Sequence, residues 1–259
     1  MKLSATCLQL SALLIAGCAS ASKPASVSGV VEPWKEYSLN VAGSRRTYEL
    51  VWPNNARTPL PVLFFLHGLD SDLPNPDLTA QHYRFLAQKA HAAGFLAVFP
   101  RGLRGANPQL PGSLAWIGNP AKERANREFL LALLADLSKR YAVDRMRVVL
   151  GGFSNGGYLA GKELLEHPEG PFTGFWIEDA GTWGELPAFE SREKRAPVYL
   201  SLATDDWLNY KKGKDLLARL LAKGWELGKT LKMNEHGGGT DLDRSGFETA
   251  WSFLAARNS

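Results

Sequence analysis

The sequence predicts an α/β fold in which helices cover both faces of a mostly parallel, twisted sheet. Two runs, residues 62–66 and 95–99, are apolar at every position, as expected of strands buried on both faces. Strand-like and helix-like segments also alternate along most of the chain, which is the order that builds a parallel sheet. With 259 residues, of which 45% are hydrophobic and 22% charged, the chain has the length of one such domain.

The predicted elements begin with a hairpin at residues 36–41 and 46–52, on either side of the turn sequence Ala42-Gly43-Ser44. Further strands are expected at 62–66, 95–99, 146–150, 172–180, 197–203 and 229–235. Helical spacing of apolar residues predicts helices at 79–93, 121–141, 156–167, 209–223 and 241–256. Several glycines and prolines predict a loop at 101–120.

The first residues have the features of an export signal. Lys2 supplies positive charge, residues 8–16 form an apolar run too short to span a bilayer, and small residues precede Cys18. The segment Ile15-Ala16-Gly17-Cys18 resembles a bacterial lipobox, in which the chain is cut before the cysteine and the thiol receives the lipid. We therefore expect a signal peptide at 1–17, a lipidated Cys18 with a flexible tether at 18–32, and the folded domain at 33–259. The alternative is an ordinary secretory signal in which Cys18 is incidental.

These features predict a lipid-anchored protein of the bacterial cell envelope that faces the periplasm or the exterior. The formal net charge is +4, and acidic and basic residues are mixed along the chain, which argues against a nucleic-acid partner. Cys7 lies in the predicted signal, so the mature chain has no cysteine pair. Its stability is expected to come from core burial without disulfides.

Ser154 is the candidate nucleophile. It stands in Gly152-Phe153-Ser154-Asn155-Gly156, a G-x-S-x-G motif that follows a predicted strand and precedes a predicted helix. A strand that turns into a helix within a few residues crowds the backbone, and glycine relieves that crowding. The turn would place Ser154 near a helix N-terminus, where unpaired N–H groups favour a developing negative charge. The bare motif also occurs in glycine-rich loops, and the preceding strand is what favours the catalytic interpretation.

A serine hydroxyl needs a positioned base to act as a nucleophile at neutral pH. In chains with this motif the order is serine, acid, histidine, which leaves His167 and His236. His167 lies along the same predicted helix as the motif, roughly 20 Å from Ser154 at about 1.5 Å per residue, and cannot reach it. His236 follows the last predicted strand and precedes three glycines, so it is the predicted base. The alternative is a surface loop histidine.

The acid of the triad orients the imidazole and stabilises the imidazolium. Asp205 and Asp206 follow the predicted strand 197–203 and would lie at the carboxyl edge of the sheet, where catalytic groups gather. Asp179, at the end of the preceding strand, is a further candidate. The residues alone leave this choice open.

The oxyanion of acyl transfer needs N–H donors, each worth about 3 kcal/mol. The backbone N–H of Asn155, directly after the nucleophile, is one predicted donor. The second is expected from the loop after residue 66, from Leu69 or alternatively Gly68. His67 is then a structural residue of the His-Gly turn. No role is assigned to the two histidines of the first predicted helix, His82 and His91.

Several segments together resemble secreted polyhydroxybutyrate-depolymerase-like and feruloyl-esterase-like hydrolases over most of residues 45–240. They are Phe65-Leu66-His67-Gly68, Phe99-Pro100-Arg101-Gly102, Trp116, Tyr141-x-Val143-Asp144-x-x-Arg147-Val148 and Gly152-Phe153-Ser154-Asn155-Gly156-Gly157. The resemblance implies an α/β-hydrolase fold, a Ser-Asp-His triad acting through an acyl-enzyme, and no cofactor or metal. It also implies esters of hydroxy acids, aromatic acids or acylated sugars as substrates.

The resemblance favours Asp206 as the acid, because Thr204 and Asp206 match a Gly-Thr-x-Asp segment that carries the acid in these families. The chain departs from the families at two places. Leu69 stands where relatives often carry a cysteine, and His236 precedes its glycines where the relatives' histidine commonly follows them.

Residues 181–196 leave no room for a large cap domain between two predicted strands, which predicts an open site suited to a bulky or polymeric ester. Trp116, Trp183 and Trp207 are expected in loops near the site, where they would stack on a substrate or simply pack over the core. Two rivals to the esterase hypothesis are a serine peptidase on the same fold and a catalytically inactive surface protein. Such peptidases often carry extra domains that this length does not allow, and an inactive relative would be expected to lack a triad candidate.

Overall fold

Strands and helices alternate along the computed structural model, which describes residues 35–54, 56–70, 77–182, 195–238 and 241–256. The strands are β1 Lys35–Val41, β2 Ser44–Val51, β3 Leu60–Leu66, β4 Leu96–Pro100, β5 Leu103–Arg104, β6 Leu114–Ala115, β7 Val143–Phe153, β8 Gly174–Glu178, β9 Val198–Ala203 and β10 Leu231–His236. The helices are α1 Asp77–Ala93, α2 Pro120–Arg140, α3 Asn155–Glu166, α4 Trp207–Ala222 and α5 Phe247–Leu254. The predicted α/β class is confirmed.

Eight of the strands form one sheet in the order β1-β2-β4-β3-β7-β8-β9-β10. The first two neighbouring pairs, β1 with β2 and β2 with β4, are antiparallel, and every other neighbouring pair is parallel. The remaining strands, β5 and β6, form a short ladder of their own within residues 101–120, where the sequence predicts a loop. The order places the carboxyl ends of β7, β8, β9 and β10 side by side.

Helices cover both faces of the sheet, so each face has its own apolar layer. On one face α2, α3 and α4 pack against the sheet through side chains such as Phe129, Leu159 and Leu216. On the other, α1 and α5 pack through side chains such as Leu86 and Trp251. The strands β3 and β4 are buried at every position, as their apolar runs predict, and β8 is buried at every position too.

The last helix is shorter than predicted. Residues 241–256 were expected to be helical, whereas α5 spans Phe247–Leu254. The preceding residues direct their N–H groups elsewhere: Asp243 N–H donates to Glu178 Oε1, and Ser245 N–H donates to Asp243 Oδ1. Backbone N–H groups that bond side chains cannot form the hydrogen bonds of a helix. The spacing of apolar residues, from which the helix was predicted, does not reveal such polar contacts.

The predicted signal peptide, Cys18 and most of the tether lie in residues 1–34, outside the described residues. Within the part of the chain that is described, no helix combines the length and the hydropathy that a bilayer crossing requires. Residues 179–197 join β8 to β9, a connection too short to fold as a separate cap domain.

Candidate active site

Ser154 occupies a sharp turn between β7 and α3. Its backbone angles are φ 48° and ψ −116°, a conformation that residues other than glycine rarely adopt. The Ser154 N–H donates to Glu178 O on the neighbouring strand at 2.9 Å, and Ser154 O accepts from Tyr158 N–H at 3.0 Å. The turn is thus tied to both β8 and α3, and the strained residue is the one that carries the hydroxyl. Strain held in place by its surroundings is typical of functional positions.

The glycines of the motif are required by close contacts. A Cβ on Gly152 would lie 2.5 Å from Gly156 C, and a Cβ on Gly156 would lie 2.5 Å from the carbonyl oxygens of both Leu66 and His67. These are backbone atoms, which cannot rotate away as a flexible side chain can. The strand-turn-helix arrangement predicted around Ser154 is therefore present, and its glycines are needed for the reason expected.

The two predicted oxyanion donors border the nucleophile. Asn155 is the first residue of α3, where N–H groups have no acceptor within the helix. Its side-chain Oδ1 accepts from Trp116 N–H at 2.7 Å, which fixes the residue against the loop before α2. Across the turn, a Cβ on Gly68 would lie 3.5 Å from Ser154 Cβ, and Leu69 lines the same cavity as Ser154. The roles of Asn155 and of Leu69 or Gly68 as donors stay predictions.

Ser154 and Asn155 line a cavity of about 460 Å³ that is open to solvent. This volume lies within the range of small-molecule sites. Apolar surface and neutral polar groups make up the rest of its wall: Leu69, Pro108, Ile117, Leu208, Asn107, Gln109, Gly118, Tyr158 and Asn209. No charged side chain stands among these described lining residues, so the cavity suits a neutral group.

His236 is the last residue of β10 and not, as predicted, a residue of the following loop. Its carbonyl accepts from Thr204 N–H at 2.8 Å, which ties it to the end of β9. The ring Nδ1 lies 3.1 Å from Gly237 O. The buried Nε2 lies 3.6 Å from Glu178 Oε1 and 3.8 Å from Asp179 Oδ1, distances of ion pairs longer than a hydrogen bond. Among the described residues Nε2 has no hydrogen-bond partner, so Ser154 Oγ is not bonded to it.

Two adjacent carboxylates face His236 from the end of β8. Glu178 and Asp179 are both fully buried. The contact with Glu178 is the main factor that raises the pKa of His236 to about 9, against the opposing effect of burial. Burial, and next the charge of Glu178, raise the pKa of Asp179 to about 7. Asp179 also has a positive φ of 43°, and its Oδ1 accepts from Ala203 N–H at 2.6 Å.

Asp205 and Asp206 make different contacts from those expected of a triad acid. Asp205 Oδ2 accepts from Gly238 N–H at 3.1 Å, in the segment after His236. Asp206 is the N-cap of α4, and its carboxylate accepts from Asn209 N–H at 3.2 Å and from Asn209 Nδ2 at 2.7 Å. The described ion pairs of His236 are with Glu178 and Asp179. The assignment of Asp206 as the acid stays a prediction.

Three other histidines have structural partners of their own. His67 is buried; its Nδ1 donates to Gly68 O at 2.6 Å, and its Nε2 accepts from Gly102 N–H at 3.0 Å. Burial lowers the pKa of His67 to about 4, which keeps the ring neutral and suits its structural role. His167 is the C-cap residue of α3. His82 is buried, with Nε2 2.7 Å from Asp241 Oδ1 and its ring edge-on to Phe153.

The three tryptophans differ in their surroundings. A substrate-stacking role for Trp116 is wrong, because its side chain is fully buried and packs on the His67 ring at a centroid distance of 5.1 Å. Trp183 lies outside the described residues. Trp207, the first residue of α4, is 71% exposed and stands next to Leu208 of the cavity wall, and its role stays a prediction. In the described segments, no group of three His, Cys, Asp or Glu side chains is arranged to hold a metal ion.

No family model matches the chain. Over 115 residues it is 31% identical to a bifunctional acetylxylan esterase/xylanase of Neocallimastix patriciarum, a match that covers 44% of this chain and only 15% of that protein. A solved ferulic acid esterase superposes with a TM-score of 0.62 at 17% identity, covering 86% of this chain and 97% of that one. A thermostable esterase from Pseudomonas putida superposes with a TM-score of 0.61 at 15% identity, covering 87% and 83% respectively.

The chain has the α/β-hydrolase fold. Ser154 lies on the strand-to-helix turn of this fold, and His236 ends the last strand, β10. Sequence reasoning missed Glu178, although a charged residue that ends the otherwise apolar strand Gly174–Glu178 is a signal for a buried partner. It also missed Tyr158, four residues after Ser154 and so on the same helix face, whose hydroxyl donates to Asn209 Oδ1 at 2.7 Å in the cavity wall.

Proposed function

We propose that this chain is a serine hydrolase that cleaves carboxylic esters through an acyl-enzyme on Ser154. The observation that carries the proposal is the strained turn at Ser154, which opens onto a cavity with no charged side chain among the lining residues that the structure describes and stands at the start of α3, where N–H groups have no acceptor within the helix. The esterases among the similar proteins support ester hydrolysis as the reaction. The open cavity is compatible with a bulky or polymeric ester of which only one acyl or alcohol group enters.

In the proposed reaction Ser154 Oγ attacks the ester carbonyl while His236 accepts the hydroxyl proton. The oxyanion is stabilised by the N–H of Asn155 together with that of Leu69 or Gly68. His236 returns the proton to the leaving alcohol, and water then hydrolyses the acyl-enzyme by the same route. Nε2 of His236 has no hydrogen-bond partner among the described residues, and we expect its contact with Ser154 Oγ to form when substrate is bound.

The acid of the triad is the point on which motif and contacts differ. The Thr204-x-Asp206 match favours Asp206, with Asp205 and Asp179 as alternatives. The contacts of His236 favour the carboxylates at the end of β8, since these lie within 4 Å of its ring nitrogen. We therefore assign the acid's role to the carboxylates at the end of β8, and we assign Asp206 the role of fixing Asn209 in the cavity wall.

The test is labelling by a fluorophosphonate and hydrolysis of p-nitrophenyl esters by the wild type and by Ser154→Ala. We expect Ser154→Ala to lose labelling and to lower kcat by several decades, on the order of a millionfold. Ser252→Ala is the matched control, since Ser252 lies on an exposed part of α5 where its hydroxyl bonds only Thr249 O among the described residues. Equal labelling of wild type and Ser154→Ala contradicts the proposal. Cleavage of peptides but not esters indicates the peptidase alternative, and a wild type that neither labels nor hydrolyses indicates the inactive one.

A further inference from the structure

Glu178 is a buried acidic side chain at the end of an otherwise apolar strand. It follows Phe175, Trp176 and Ile177, and its side chain has no exposed surface. A carboxylate removed from water is destabilising unless hydrogen bonds and an opposite charge compensate it. Its presence therefore requires specific partners.

The partners of Glu178 come from two elements. Oε2 accepts from Trp176 Nε1 at 2.8 Å, and Oε1 accepts from Asp243 N–H at 2.8 Å. Both oxygens act as acceptors, as an ionised carboxylate does. The group is thereby fixed in position, and its Oε1 faces His236 Nε2 at 3.6 Å.

We propose that Glu178 is the positioning residue for His236: its anchored carboxylate holds the imidazole at the carboxyl edge of the sheet. The inference rests on the proposed function, because it assigns His236 the role of base. It places the orienting carboxylate on β8, next to the nucleophile strand, and not on the turn after β9.

The other acidic residues nearby have different tasks. Asp179 Oδ1 is bonded to Ala203 N–H, Asp205 bonds the backbone of Gly238, and Asp206 bonds Asn209. Asp179 Oδ1 and Glu178 Oε1 each accept a backbone N–H, but Glu178 is held at both of its oxygens, and its Oε1 lies closer to the imidazole, at 3.6 Å against 3.8 Å. Among the described contacts, the Glu178 oxygen is the carboxylate atom nearest to His236.

The charges around His236 all favour its protonated form. Those that act on it are Glu178 at the end of β8 and Asp179 directly after it, whereas the carboxylates of Asp205, Asp206 and Asp243 bond Gly238, Asn209 and Asn234. On α1, His82 contacts Asp241, and burial lowers its own pKa. On the opposite face of β10, Glu235 binds Tyr210 and Lys214 instead. The result is a pKa of about 9 for His236, so the free base forms at alkaline pH.

The experiment compares kcat/KM for a p-nitrophenyl ester against pH in the wild type, Glu178→Gln, Asp206→Asn and the matched control Glu235→Gln. The control makes the same chemical change one residue from His236 on the solvent side. We expect wild-type activity to rise to a midpoint near the His236 pKa of about 9. Glu178→Gln should move that midpoint down by about 1 to 2 pH units, and the other two variants should leave it in place.

Imidazole NMR titration supplies a readout that does not depend on activity, with His236→Gln to assign the signal. A wild-type His236 pKa at or below 6.5 overturns the inference even if Glu178→Gln does not fold. So does a midpoint that moves in Asp206→Asn but not in Glu178→Gln. An inactive wild type whose His236 pKa nevertheless falls in Glu178→Gln contradicts the proposed function and leaves the Glu178 contact supported.

Discussion

Gly156 lies where the nucleophile turn packs against the end of β3, just before the predicted oxyanion loop. Replacing Gly156 with alanine tests whether this close packing is needed for stability and catalysis. The added Cβ would lie 2.5 Å from Leu66 O and 2.5 Å from His67 O. Because ordinary contacts to carbon begin near 3.5 Å, the two backbones must separate by roughly 0.5–1 Å. Overpacking of this kind costs about 1–3 kcal/mol. For a domain of this size, that lowers Tm by roughly 3–10 °C.

The separation also affects catalysis, because Gly68 and Leu69 directly follow the two displaced carbonyls. Misplacement by about 1 Å can reduce rate by on the order of a hundredfold, so kcat of Gly156→Ala should fall by that factor. Thermal unfolding followed by circular dichroism and ester hydrolysis below Tm give the two values. Gly112→Ala is the control, since a Cβ there would meet nothing within 4 Å. A Gly156→Ala protein with the Tm and kcat of this control would refute the reasoning.

Two further substitutions test the groups around the site. Asp179→Asn should stabilise the protein at pH 9 by on the order of 1–3 kcal/mol and lose that advantage near pH 4. The pKa of Asp179 is raised from 3.8 to about 7 in the fold, so ionising it lowers stability as pH rises from about 4 to about 7, and the loss is complete above 7. Urea unfolding at both pH values measures this, and equal stability at pH 9 contradicts it. Tyr158→Phe removes the hydrogen bond to Asn209 and should cost about 0.5–1.5 kcal/mol. Since both residues line the cavity, KM should rise with little change in kcat, and steady-state kinetics showing the reverse would place Tyr158 in the chemistry instead.

The sequence predicts best those elements whose structure is determined by residues close together in the chain. The apolar runs in β3 and β4 and the glycines around Ser154 reflect burial and backbone crowding within a few residues, and both appear as expected. Residues 241–246 show the opposite case. Asp241 pairs with His82, 159 positions away, and this long-range contact leaves no mark on the helical periodicity.

The carboxylate that faces His236 was hard to predict for the same reason, yet strand periodicity carries part of the answer. Alternate residues of a strand point to opposite faces, so Asn234 and His236 share the face on which Glu178 meets Asp243, while Glu235 points to α4. Asp206, by contrast, caps α4 on the other face. A motif match identifies only a position along the chain. Which acid can contact His236 depends on the face of the sheet from which its side chain projects. That face in turn depends on whether His236 ends the strand or begins the loop.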